Sequence, residues 1–99
     1  MKIDIVDFSG GGEVSTALYV NGEYLFGGDY YHDKIDDYVE GFLAGVKKGE
    51  ESFPNQSEVK YHSLTEAAAE KFAEAGSEFP DKFPFKKSKK LQLEENTNA

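Results

Sequence analysis

The sequence predicts an α+β domain, an antiparallel sheet of three to four strands packed against two helices in the order βββαβα. Three observations predict it. Apolar residues alternate on both sides of Asn21-Gly22, a dipeptide that suits the positive-φ positions of a hairpin turn. Ile35, Tyr38, Val39, Phe42, Leu43 and Val46 recur at helical spacing and form one broad apolar stripe. Ser63 with Glu66 three residues later matches a capping box ahead of a second helical pattern. A chain of 99 residues is enough for one such domain and too short for two ordinary ones.

Residues 2–8 read as the first strand. Ile3 and Ile5 share one face while Val6 and Phe8 share the other, so either both faces are partly buried or a bulge lies near Val6. Gly10, Gly11 and Gly12 then permit a tight or mobile loop. They lack the Lys-Ser/Thr ending of a phosphate loop and precede a strand rather than a helix. Residues 13–20 alternate with period two and form the second strand; residues 23–28 return as the third.

The first helix is expected from Asp33 to Lys48. Asp33 can cap its start, Lys47 and Lys48 suit its negative end, and Gly49 can close it. Gly41 and Gly45 inside it are explained if another element approaches closely there. Residues 50–57, with Pro54, read as a surface connection. Residues 58–62 can form a short fourth strand. The second helix then continues to Ala75 and stops at Gly76, burying Leu64, Ala68, Phe72 and Ala75.

Beyond Gly76 the regular patterns fade. Phe79-Pro80, Phe83-Pro84 and Phe85 either strap back across the body or lie open as a docking peptide. The expected organisation is one domain over residues 1–81, followed by a basic then acidic tail over residues 82–99, with residues 91–99 frayed.

Charge is sorted by position. Residues 1–81 carry 17 acids against 6 lysines, while residues 82–90 carry 5 lysines and no acid. The chain has no Arg, and its net charge is -8. Such a body repels nucleic acid and anionic membranes, so direct nucleic-acid binding is disfavoured and a protein with a basic surface is the natural partner. The aromatic content of 14% argues for a folded core in spite of the charge.

Cys is absent, which excludes disulfides, thiolate metal sites and Cys nucleophiles. Asp4 and Asp7 stand where a signal peptide has its apolar run. No stretch approaches the roughly 18 apolar residues of a membrane span. The expected location is the cytoplasm. Asn55-Gln56-Ser57 matches the glycosylation sequon but has no secretory signal beside it.

The candidate binding surface is Asp29, Asp33, Asp36, Asp37 and Glu40, with Tyr30 and Tyr31 beside them. The last four acids share one helix face, where like charges at spacings of three and four repel. Spaced carboxylates present a field similar to that of nucleic-acid phosphates, and Tyr is a rigid amphipathic anchor. The bland alternative is a solvated helix face with favourable dipole interactions and Tyr residues packed at the helix start.

His32 with the neighbouring carboxylates is the only frame for acid–base or metal chemistry, and no recognisable nucleophile accompanies it. His62, at the strand-to-helix junction, reads as a cap or a surface residue. No cofactor and no metal is expected.

The strip Lys82, Lys86, Lys87, Lys89 and Lys90 is either a solubilising tail, a segment folded onto the acidic body of its own or another subunit, or a contact for an acidic partner or nucleic acid. In size and charge the chain looks like the small acidic α+β proteins, many of them phage-encoded, that neutralise nucleic-acid-binding enzymes. That likeness is compositional.

The reading that follows is a non-enzymatic protein-binding module, an acidic inhibitor that occupies a basic or nucleic-acid-binding site. Its rivals are a homo-oligomer built through an open strand edge or tail-to-body charge pairing, and a small enzyme or metal protein using His32.

Overall fold

The computed structural model describes residues 1–9, 14–52, 57–76, 78–93 and 95–98. The glycine loop at 10–12, the connection at 53–56 with Asn55 and Gln56 of the sequon, and residue 94 lie outside the described residues. The elements are β1 (Lys2–Asp7), β2 (Ser15–Val20), β3 (Glu23–Asp29), α1 (Ile35–Ser52), β4 (Glu58–Leu64), α2 (Glu66–Glu74), a 3-10 turn at Phe85–Lys87, and β5 (Glu95–Asn98).

The α+β class and the order βββαβα hold. The first three strands form the expected antiparallel meander. Asn21 and Gly22 take φ of 50° and 84° at its turn, the left-handed conformation that Asn and Gly tolerate. The irregularity suspected near Val6 lies elsewhere. Leu18 pairs with Phe26 but Tyr19 pairs with Tyr24, so Leu25 is the extra residue of a bulge in β3.

The sheet differs from expectation in two ways. Among the described residues it has five strands in the order β3-β2-β1-β4-β5, and β1 pairs with β4 in parallel, not antiparallel. The long α1 returns the chain to the starting end of the sheet, which is the crossover that parallel pairing needs. The fifth strand comes from the segment expected to fray. Backbone groups of residues 95–98 bond to the free edge of β4.

β1 is central and buried on both sides, which explains its mixed pattern. Ile3 and Ile5 enter one layer with Leu18, packed against Val20, Phe26, Val39, Phe42, Leu43 and Val46. Of Ile5 and Val6, either of which the alternation allows to face α1, it is Ile5 that does so. Val6 and Phe8 enter the other layer with Ala17, Tyr19, Ala68, Phe72, Phe85 and Leu93.

Helix boundaries shift for local reasons. α1 starts at Ile35 and runs on through Gly49 to Ser52, so Lys47 and Lys48 do not form its last turn. A Cβ at Gly41, Gly45 or Gly49 would meet nothing within 4 Å, so no close approach explains these glycines. Ser63 is the penultimate residue of β4. The cap of α2 is Thr65, whose Oγ1 accepts from the Ala68 N–H at 3.2 Å. Ala69 takes the buried place expected of Ala75, which is exposed.

The boundary drawn at Asp81 is also corrected. The Phe-Pro segment straps back: Tyr24 N–H donates to the Asp81 carbonyl at 3.1 Å and Phe83 N–H to Gly22 at 2.8 Å. The Tyr19 hydroxyl donates to the Pro80 carbonyl at 2.8 Å in a buried setting. Phe85 and Leu93 belong to the core. The supposed tail is part of the domain because its apolar residues supply one wall of the α2 layer.

Candidate protein-binding surface

The candidate residues sit where β3 ends and α1 begins. Asp29 Oδ1 accepts from Tyr31 N–H at 2.7 Å and from His32 N–H at 2.9 Å, an Asx-type turn that bends the chain off the sheet. The His32 N–H, foremost, and the Tyr31 N–H hold the Asp29 carboxyl below the ordinary Asp range, against a smaller opposing effect of desolvation.

Asp33 Oδ2 accepts from Asp29 N–H at 2.7 Å, and the Asp33 N–H donates to the Asp29 carbonyl at 3.1 Å. The two acids thus close residues 29–33 on themselves, with Lys34 at φ 52° leading into α1. Gly28 is required beside them: a Cβ there would fall 2.8 Å from Asp33. The bond from Asp33 reaches back to β3 rather than forward along the helix.

Six of the seven residues are exposed and Asp29 is half-buried; Asp33 is turned onto the loop by its bond to the Asp29 N–H. Tyr30 and Tyr31 are 46% and 72% exposed, with rings 5.0 Å apart at 84°. Asp36 and Asp37 occupy the first turn of α1, where the positive helix end favours them. Glu40 is exposed one turn on. Tyr30, Tyr31, Asp36 and Asp37 line one depression of about 270 Å³, and Lys34 stands among them. That lysine was not included in the sequence-based surface.

His32 is exposed and lies with Asp33, Phe26, Gly27, Ile35 and Tyr38 around a separate hollow. Its N–H bonds to Asp29. Among the described residues no group of three or more His, Asp or Glu side chains gathers as a metal site, and no helix is long and apolar enough to cross a membrane.

The other imidazole overturns its expectation. His62 is buried, and its Nε2 lies 2.8 Å from Asp4 Oδ1, with side-chain exposures of 2% and 7%. The parallel register sets Val6 beside His62 and Asp4 beside Lys60, so Asp4 and His62 share the face that turns toward α2. The His62 ring packs on Phe83 at 4.5 Å. The signal in the sequence was Asp4 itself: an acid in phase with Val6 and Phe8 must find a partner if that face is buried.

The lysine strip is held on a fixed frame. Ser88 is buried; its hydroxyl donates to Asp81 Oδ1 at 2.6 Å and accepts from the N–H groups of Asp81, Lys90 and Leu91. The Ser88 hydroxyl, foremost among several donors, holds the Asp81 carboxyl below its ordinary range. Lys82 pairs with Glu23, an acid of the hairpin turn and not of the Asp29–Glu40 patch. Lys86, Lys87, Lys89 and Lys90 are exposed. The strip belongs to the segment that packs with α2, so the acidic patch and this basic loop sit with opposite layers of the sheet.

Comparison with protein-family models, with curated proteins and with solved structures finds no match.

Proposed function

We propose that this protein is a non-enzymatic inhibitor or interaction module that blocks a basic, nucleic-acid-binding site on a cytoplasmic partner. The single observation that carries the reading is the exposed set Tyr30, Tyr31, Asp36, Asp37 and Glu40 on a closed loop and the first turns of α1. Asp29 and Asp33 act as positioning residues that hold the loop. A rigid acidic surface with aromatic anchors complements a phosphate-binding site, and its charge speeds association in a salt-dependent way.

Capture on the immobilised protein at about 50 mM and about 500 mM salt tests this. A basic protein should be held at the lower salt, released at the higher, and displaced by added oligonucleotide. It should also be lost by a variant carrying Asp36→Asn, Asp37→Asn and Glu40→Gln. A partner held equally at both salts and by that variant would sink the proposal.

A further inference from the structure

The α1 side of the sheet holds a groove of about 440 Å³ that the acidic patch only borders. Strand parity builds one wall. Asp7 continues the face of β1 that carries Ile5, and Tyr61 lies beside Ile5 on β4. Asp36 on α1 forms the opposite wall, and Tyr30, between β3 and α1 in the chain, lines the groove with it. Tyr61 is 51% exposed because α1 lies over β2 and β3 and leaves this face of β4 open.

The lining chemistry is specific in sign and shape. Two carboxylates approach from different elements, Asp7 from the sheet and Asp36 from the helix. Asp7 Oδ1 accepts from Ser9 N–H at 2.8 Å, which fixes that carboxylate at the lip. Two tyrosine rings are accessible, and Ile5 and Val39 supply an apolar floor. No lysine is among the described residues that line the groove. The outer depression shares Tyr30 and Asp36 with it but contains Lys34. A cation therefore meets two carboxylates partly offset by Lys34 in the outer space, and two carboxylates with no lysine beside them in the inner one. An anion would meet two carboxylates, and a wholly apolar ligand would strip water from them without replacing its hydrogen bonds.

We propose that this groove is the anchor subsite of the binding face and takes one arginine side chain of the partner protein. The inference rests on the reading of this end of the molecule as the partner-binding surface and names what enters it. The guanidinium is planar and forked, so it can bond to carboxylates on two walls while lying against tyrosine faces. Its methylene stem suits the Ile5 and Val39 floor. Lysine offers a compact charge without the planar face.

The test is an amide-resolved NMR titration of the full chain with N-acetyl-arginine methylamide, its lysine analogue and its uncharged citrulline analogue, at matched ionic strength. Arginine should give saturable shifts centred on Asp7, Tyr30, Asp36 and Tyr61, and bind about tenfold tighter than citrulline, the scale of one charge-assisted hydrogen bond. Asp36→Asn should weaken arginine binding by about the same factor. Glu70→Gln, exposed on α2 and outside both the groove and the acidic face, should leave it unchanged. The unperturbed part of each spectrum reports that the variants are folded. Absence of saturation, an equal response to citrulline, or lysine binding as tightly as arginine overturns the proposal. Glu40 separates the two readings. If Glu40→Gln weakens capture of a basic partner while arginine fails to saturate, the groove assignment falls and the acidic-face reading stands.

Discussion

Phe8 and Ile5 leave the same strand on opposite sides and enter layers of different kinds. On the α2 side, Phe8, Tyr19, Phe72 and Phe85 are each fully buried. Phe8 meets Phe72, Phe79 and Phe85 at ring distances of 4.6, 5.1 and 5.5 Å. On the α1 side Ile35 is the only buried one among the described side chains of the helix, and Val39, Phe42, Leu43 and Val46 are partly open. One layer is closed by a helix and a strap, and the other by a single helix that covers part of the sheet. The two layers divide the labour: the closed layer carries stability, and the half-open layer leaves exposed side chains and concave surface for contact.

The largest expected effects lie in the closed layer. Phe85→Ala should cost about 3–5 kcal/mol, whereas Phe42→Ala, half-buried against Phe26, should cost about 1–2 kcal/mol. Urea unfolding of the two variants checks this; equal losses would abolish the distinction between the layers. Removing one member of the buried Asp4–His62 pair, as in His62→Ala, should cost about 2–4 kcal/mol because Asp4 loses this hydrogen bond and Phe83 its ring contact. The same melts on Asp4→Ala, His62→Ala and the double variant measure the coupling. Additive losses would show that the two side chains do not depend on each other.

A smaller effect concerns the strap. Ser88→Ala removes a buried hydroxyl that serves four hydrogen bonds and should cost about 1–3 kcal/mol. Asp81, held below the ordinary Asp range, binds fewer protons folded than unfolded. Its contribution is therefore present above the ordinary Asp range and is lost as pH falls through the lowered folded value. Melts of Asp81→Asn should lose part of the acid-side pH slope seen in the parent. The smallest effect sharpens the open side. Gly41→Ala and Gly45→Ala meet empty space and should each stabilise α1 by about 0.5–1 kcal/mol. A loss at either site would mean that α1 is more closely covered than the α1 layer described above.

The legible parts of the fold were those with local signals. The Asn21-Gly22 turn, the period-two strands and the α1 stripe need only neighbours in sequence. The parallel β1–β4 pair was not legible, because its register joins Lys2 to Glu58 and no local pattern encodes that partner. β5 was missed for a related reason. Its ENTN sequence has no apolar alternation, and it is a strand because β4 offers an unpaired edge. Likewise Phe85 and Leu93 looked like points in a polar stretch until the sheet supplied a surface for them.

The candidate surface was legible in part. Asp36, Asp37 and Glu40 face outward because helical spacing sets them there, and Tyr30 and Tyr31 flank them. Asp29 and Asp33 share their charge but face their own loop, since an acid at a strand end finds backbone N–H groups at once. Asp7 and Tyr61 could not be added from sequence, because they join the groove only through the β1–β4 pairing.

That pairing also has a consequence in time. β2 and β3 can meet as soon as their turn forms, and α1 is wholly local. The aromatic layer must wait, because Tyr19 with Pro80, Asp4 with His62 and Phe8 with Phe85 are all distant partners. Closing such loops costs entropy before the contacts reward it, so these contacts are expected to form after the local elements. If the strap docks after the rate-limiting step, the loss in Phe85→Ala appears as faster unfolding with refolding nearly unchanged, which stopped-flow kinetics would resolve. The strap then acts as a latch: it does little to start the fold and much to keep it shut.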